Sequence, residues 1–273
     1  MSGRGGAVSP AGKGRGSLSR KTVIEIRDLN KIYYTKNGEV HALENVSLDV
    51  FDEEFVTVVG QSGCGKTTIL KIISGLLPKT AGTVRVNSND VIGPVSDVGM
   101  VFQSPVLPKW RNVLDNVMLP VEILGLDEDV YRERAMDLIK LTGLVGFENK
   151  FPKELSGGMQ QRVSISRALI HNPPLLLMDE PFGALDALTR EAMNLELLRI
   201  WQESKKTCLL ITHSIGEAVF LADRVIVMTP RPGKVDKLIN IDLPRPRTAE
   251  MRTDRKFIEY VRLIQERIGL VRV

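Results

Sequence analysis

The sequence predicts an α/β fold built on a mostly parallel sheet. Short apolar runs alternate with helical repeats along the chain, the pattern of strands joined by crossover helices. One run, Val56–Val59, ends at Gly60 in a glycine-rich turn that opens onto a helical stretch from Thr67 to Leu76. Two later runs, Leu175–Met178 and Cys208–Thr212, are almost wholly apolar, as strands buried on both faces must be. Open sheets of this kind bind ligands beyond the carboxyl ends of their strands. The residues that follow each strand are therefore the first place to look for chemistry.

Taken in order, residues 1–20 read as a flexible basic leader with almost nothing to bury. Val23–Arg27 and Val46–Val50 read as strands, as do Gly82–Val86 and Val98–Phe102. From about 104 to 155 the character changes. Val113, Val117, Val121 and Leu124 recur at helical spacing, and so do Ala135, Leu138 and Leu141, which predicts an inserted helical subdomain. A helix from about Gly158 to His171 stops at Pro173-Pro174. Leu188, Ala192, Leu195 and Leu198 predict the buried stripe of a long helix. Arg231-Pro232-Gly233 turns a hairpin, and residues 255–268 form a C-terminal amphipathic helix.

Composition excludes several classes. No apolar run approaches the length that spans a bilayer, and the amino-terminal segment lacks the apolar core of a signal peptide, so contact with a membrane is expected through a partner. Arg4, Lys13, Arg15, Arg20 and Lys21 precede the first acid, Glu25; with a net charge of +4 overall, the body is close to neutral. That argues against a nucleic-acid surface. Cys64 and Cys208 are too few for a disulfide framework and fit a reducing compartment. His41 and His171 have no partner cluster and read as ordinary surface or core residues, and Trp201 reads as packing.

Three motifs carry chemistry. Gly60-Gln61-Ser62-Gly63-Cys64-Gly65-Lys66-Thr67 fits the phosphate-loop pattern at every fixed position, with Thr68 next. Its glycines let backbone N–H groups point at phosphate oxygens, Lys66 supplies a point charge, and the Thr67 hydroxyl can ligate Mg²⁺. Leu175–Met178 delivers Asp179 and Glu180 at a strand end, Asp179 for the Mg²⁺ shell and Glu180 to polarise an attacking water. Finally, Ser156, Gly157 and Gly158 open a helix, with Ser156 as N-cap. A second phosphate-binding helix end in one chain makes most sense if it caps the nucleotide of a neighbouring copy.

Through the run Leu155-Ser156-Gly157-Gly158-Met159-Gln160-Gln161-Arg162, together with the two motifs before it, the chain resembles the ATP-binding subunits of ABC transporters from about Val23 onward. The resemblance implies a P-loop NTPase with a RecA-like, mostly parallel sheet core, an antiparallel β subdomain and the inserted helical subdomain. The ATPase domain spans 21–250, with a C-terminal helix over 251–273. Gln103 matches the loop that touches Mg²⁺ and water and senses the membrane subunit. His213 matches the switch histidine at the γ-phosphate. Gly183-Ala184-Leu185-Asp186 matches the segment in which Asp186 joins the two nucleotide sites, and Gln160 belongs to the signature run. Tyr33 matches the aromatic that stacks on adenine, with Tyr34 as competitor. ATP, Mg²⁺, a second copy of the chain, transmembrane permease subunits and, indirectly, a periplasmic or lipid-anchored solute-binding protein are implied. So is a peripheral place on the cytoplasmic face of the plasma membrane.

Pro105–Trp110, Val113–Val117, Met228–Lys234 and Leu243–Arg247 resemble the nitrate/sulfonate/taurine group of importers. Lys109 departs from that pattern, where an apolar residue is expected before Trp110. No long C-terminal regulatory domain follows. An exporter ATPase or a non-transport ABC ATPase, such as one of iron–sulfur assembly, is the alternative. The transported solute is not encoded in these motifs.

Overall fold

The computed structural model describes residues 20–183 and 185–269; the predicted leader, up to residue 19, and Ala184 lie outside them. Two sheets form. Strands β1 (Thr22–Thr35), β2 (Gly38–Phe51), β4 (Ala81–Val86) and β5 (Asn89–Asp90) make an antiparallel sheet in the order β2-β1-β4-β5. The second sheet has the order β10-β9-β3-β8-β7-β6, from β3 (Phe55–Gly60), β6 (Val98–Val101), β7 (Leu175–Asp179), β8 (Thr207–Ile211), β9 (Arg224–Met228) and β10 (Val235–Asn240). It is parallel except for β10, which turns back antiparallel on β9.

The parallel strands are buried on both faces, and alternation assigns each side chain to one of two cores. Val56, Val58, Leu177, Leu209 and Ile211 pack with Ile24 and Ile26 of β1 and with Ile69, Leu70 and Ile73 of α1 (Lys66–Ile73). Their neighbours Phe55, Val59, Met178 and Leu210 face the other core, with helices α2 (Val113–Ile123), α4 (Gly157–Leu169) and α5 (Ala187–Ser204). There Trp201 meets Phe55 edge-on at 5.9 Å, under the Arg245 guanidinium, which confirms a packing role. Helix α3 (Glu128–Leu141) packs against α2 and α4. Helix α6 (Ile215–Leu221) and the C-terminal α7 (Arg255–Ile268) close the second face.

Three expectations are corrected. The stripe predicted on α5 is rotated: Leu188 is 81% exposed and Leu195 is also exposed, while Met193, Leu197, Leu198 and Trp201 are buried. Helix α5 carries apolar residues on two faces, so periodicity alone does not choose between them. On α2, Val113, Val117 and Val121 are buried, but Leu124 caps the helix and is exposed. Helix α1 stops at Ile73 rather than Leu76, because Ser74 caps it and Gly75 takes a φ of +74°.

Candidate functional site

The carboxyl ends of β3, β7 and β8 converge on a cavity of about 350 Å³. Its floor is the glycine-rich loop after β3: Ser62, Gly63, Gly65, Lys66, Thr67 and Thr68 line it. Gly65 is required here. Its φ is +97°, and a Cβ would lie 2.5 Å from Leu43 Cδ2 and 2.9 Å from the Ala42 oxygen. Gly65 also occupies the N-cap of α1 with no side-chain cap, so the first-turn amides face the cavity unblocked. By contrast α2 through α6 each begin under a side-chain oxygen.

Lys66 is 5% exposed, and its ammonium donates to the carbonyls of Gly60 at 2.9 Å and Gln61 at 3.0 Å. Thr67 Oγ1 donates to Asp179 Oδ1 at 3.1 Å. Burial pushes the Asp179 carboxyl up, and the Thr67 hydrogen bond partly opposes that. The pair is an all-oxygen donor set, which fits a hard divalent cation that completes its shell with phosphate and water. Among the described residues no cluster of three or more His, Cys, Asp or Glu forms a self-sufficient metal site.

Glu180 follows Asp179 with a φ of +48°, in the left-handed region, which costs about 1 kcal/mol and is held by its N–H donating to Ile211 O at 2.9 Å. That turn swings its carboxylate into the cavity. There His213 Nε2 lies 2.6 Å from Oε1 and Gln103 Nε2 donates to Oε2 at 3.2 Å. Three loops, after β6, β7 and β8, thus meet at one carboxylate. Tyr33 lines the opposite end, its hydroxyl 3.3 Å from Thr68 Oγ1 and its ring 5.1 Å from Lys31 Nζ, whereas Tyr34 is 72% exposed and outside the cavity.

Not every predicted site residue gathers here. Gly60 and the buried Cys64 lie beneath the lining, and Gln61 turns away, its amide donating to Ile268 O at 3.0 Å. Ser156, Gly157, Gly158 and Gln160 open α4 outside the cavity. Ser156 Oγ accepts from the Met159 N–H at 3.3 Å, and the Gln160 amide donates to the carbonyls of Pro152 and Leu155. Asp186 caps α5, accepting from the Thr189 N–H at 3.0 Å, and its carboxyl is held low by the Thr189 side chain first and that N–H second.

Conversely, Val40, Ala42 and Arg231 line the cavity without having been predicted. The turn bearing Arg231 rests directly on the phosphate loop: Gly233 donates to Ala42 O at 3.0 Å, and a Cβ on it would lie 1.9 Å from Cys64 O. The sequence signal was the basic Arg-Pro-Gly turn itself, but nothing local says which loop it meets.

Comparison with known proteins agrees with this geometry. The family model described as "ABC transporter" matches residues 43–183. The "Taurine import ATP-binding protein TauB" of Burkholderia thailandensis is 44% identical over 84% of this chain and 90% of its own length. The "Nitrate import ATP-binding protein NrtD" of a Synechocystis species is 42% identical over 87% and 91%. A solved structure titled "Dimeric Structure of MJ0796, a Bacterial ABC Transporter Cassette" superposes with a TM-score of 0.74 at 34% identity, covering 81% of this chain and all of that one. With the phosphate loop, the two acids and the Ser-Gly-Gly helix all in place on that fold, the chain belongs to the ABC transporter family as an ATP-hydrolysing, ATP-binding subunit.

Proposed function

We propose that this subunit powers an importer for a small anion or sulfonate-like solute of the nitrate, sulfonate or taurine class, working as a pair of identical copies. The carrying observation is the separation of two phosphate-binding helix ends: α1 opens onto the cavity and α4 does not. The Ser156-Gly157-Gly158 end is then available to close over the γ-phosphate held by a partner copy. The two import relatives, named for taurine and nitrate, support the solute class, and the dimeric cassette that the fold superposes on supports the pairing.

In this reading Lys66, Thr67 and Thr68 grip the phosphates, and Tyr33 stacks on the adenine. Thr67, Asp179 and Gln103 would hold Mg²⁺, which would supply positive charge against the phosphates. Glu180 orients water for in-line attack, while Lys66 and His213 stabilise the developing charge. Tyr33→Ala should weaken ATP binding by about 1–3 kcal/mol, the worth of one base–aromatic stack, and Tyr34→Ala should leave it unchanged. Equal losses in the two variants, measured by titration with a fluorescent ATP analogue, would reassign the stacking residue.

The membrane partner meets the groove of about 520 Å³ beside β6, walled by Val98, Met100, Phe102, Leu119, Ile123 and Leu124. Phe102 precedes Gln103, so a segment seated there acts one residue from the Glu180 carboxylate's neighbour. Trp110 and Ile123 nearby in sequence are exposed. In this reading the subunit sits peripherally, on the cytoplasmic face, through that partner; among the described residues no helix is long and apolar enough to cross a membrane. Ile123→Glu should abolish co-purification with a multi-spanning membrane protein while sparing ATP binding. Recovery of the unaltered chain from detergent-solubilised membranes without any such protein would overturn the transport reading.

A further inference from the structure

Behind Glu180 lies a second cavity of about 230 Å³, whose walls include Glu180, His213, Arg190, Thr212 and Glu217. Glu217 takes no part in the reaction described above. It is 4% exposed, yet its Oε1 has no hydrogen-bond partner. Burial pushes its carboxyl up, while Thr212, Arg190, Asn194 and Arg252, facing it from the loop after β8, α5 and the turn before α7, pull it down.

Its Oε2 accepts a hydrogen bond from the Thr212 hydroxyl, and that hydroxyl also accepts from the Ser214 N–H at 3.0 Å. Ser214 Oγ in turn accepts from the Glu217 N–H at 3.3 Å. Of the residues on either side of His213, Thr212 is therefore held directly by the buried carboxylate, and Ser214 through the Thr212 hydroxyl and the Glu217 N–H. Across the cavity Arg190 donates to Phe182 O at 3.2 Å and Leu185 O at 2.8 Å, bracing the segment that follows Glu180.

We propose that Glu217 is a positioning residue for His213: through Thr212 it sets the backbone that carries the histidine, and with Arg190 it joins that loop to the Glu180–Asp186 segment. The inference rests on the ATP-hydrolysis reading of the main cavity. A displacement of the imidazole by a fraction of an ångström is enough to matter, because misplacement by about 1 Å can cost about 100-fold in rate.

The test compares E217A, E217Q, T212V and T212S in the full chain, with ATP turnover and the Kd of a fluorescent ATP analogue as separate readouts. E217A and T212V should lower kcat by about 10-fold or more with Kd within about 2-fold, because the histidine moves while the phosphate loop does not. E217Q and T212S should keep kcat within about 3-fold, since the amide oxygen still accepts and the hydroxyl still donates. Wild-type kcat in T212V, or an E217Q as slow as E217A, overturns the proposal. So does a parallel loss of kcat and affinity. If E217A fails to fold, the near-isosteric T212V carries the test. Lys66→Ala serves as control: a variant that still binds and hydrolyses ATP would sink the main-site reading itself, a result distinct from any pattern at Glu217 and Thr212.

Discussion

Glu180→Gln should lower ATP turnover by about two to four orders of magnitude, the range carried by a positioned general base, and leave nucleotide affinity close to that of the unaltered chain. The amide preserves the size of the side chain and the left-handed turn at φ +48° that aims it. It cannot take up a proton, and one of its two ends becomes a donor facing His213 or Gln103, each of which contacts a carboxylate oxygen in the native site. Lys66, Thr67 and the α1 amides, to which the proposed function gives the phosphates, are untouched. Phosphate release measured beside analogue titration separates the two quantities. Turnover at the native rate removes Glu180 from its role. Loss of affinity in parallel with rate would make it a structural support of the loop instead.

The parts of this site that were legible in the sequence are those whose chemistry is contiguous. The phosphate loop needs a strand, a glycine turn and a helix in a row, and Gly60–Thr67 supplies all of it within a few residues. Asp179-Glu180 was legible because the apolar strand β7 ends in it, and His213 through the family resemblance of the run that closes β8; parallel pairing brings both to the same edge of the sheet. Their meeting at one carboxylate follows from parallel register, which residue spacing alone does not encode. Arg231 was illegible for the same reason: its turn reaches the loop only because β9 lies beside β3, with Gly60 opposite Met228. The buried face of α5 was misread because Leu188 and Leu195 give an apolar period that the packing of Met193, Leu197 and Trp201 overrides. Glu217 carries no signal at all; a lone acid on a short helix becomes informative only once its burial and its bond to Thr212 are known.

Equimolar mixing of Lys66→Ala and Ser156→Arg chains should restore turnover that neither chain shows alone. Each site in the proposed pair takes its phosphate loop from one copy and its Ser156 helix end from the other. In a homodimer of either variant both sites therefore carry one lesion. In the mixed pair the lesions fall together on one site and leave the other whole. Random pairing makes about half of the dimers mixed, each with one intact site, so recovery on the order of a quarter of native turnover is expected for a two-fold symmetric pair. Ser156 is exposed and outside the cavity of its own chain, so the arginine is accommodated at the cost of one N-cap, about 1 kcal/mol. Its effect must then arise across the subunit boundary, where a guanidinium fills the space over the partner's γ-phosphate. Native turnover in Ser156→Arg alone would contradict this arrangement. Mixed chains that stay inactive while showing no ATP-dependent association by light scattering would contradict it too, because the α4 end would then have no nucleotide to close upon.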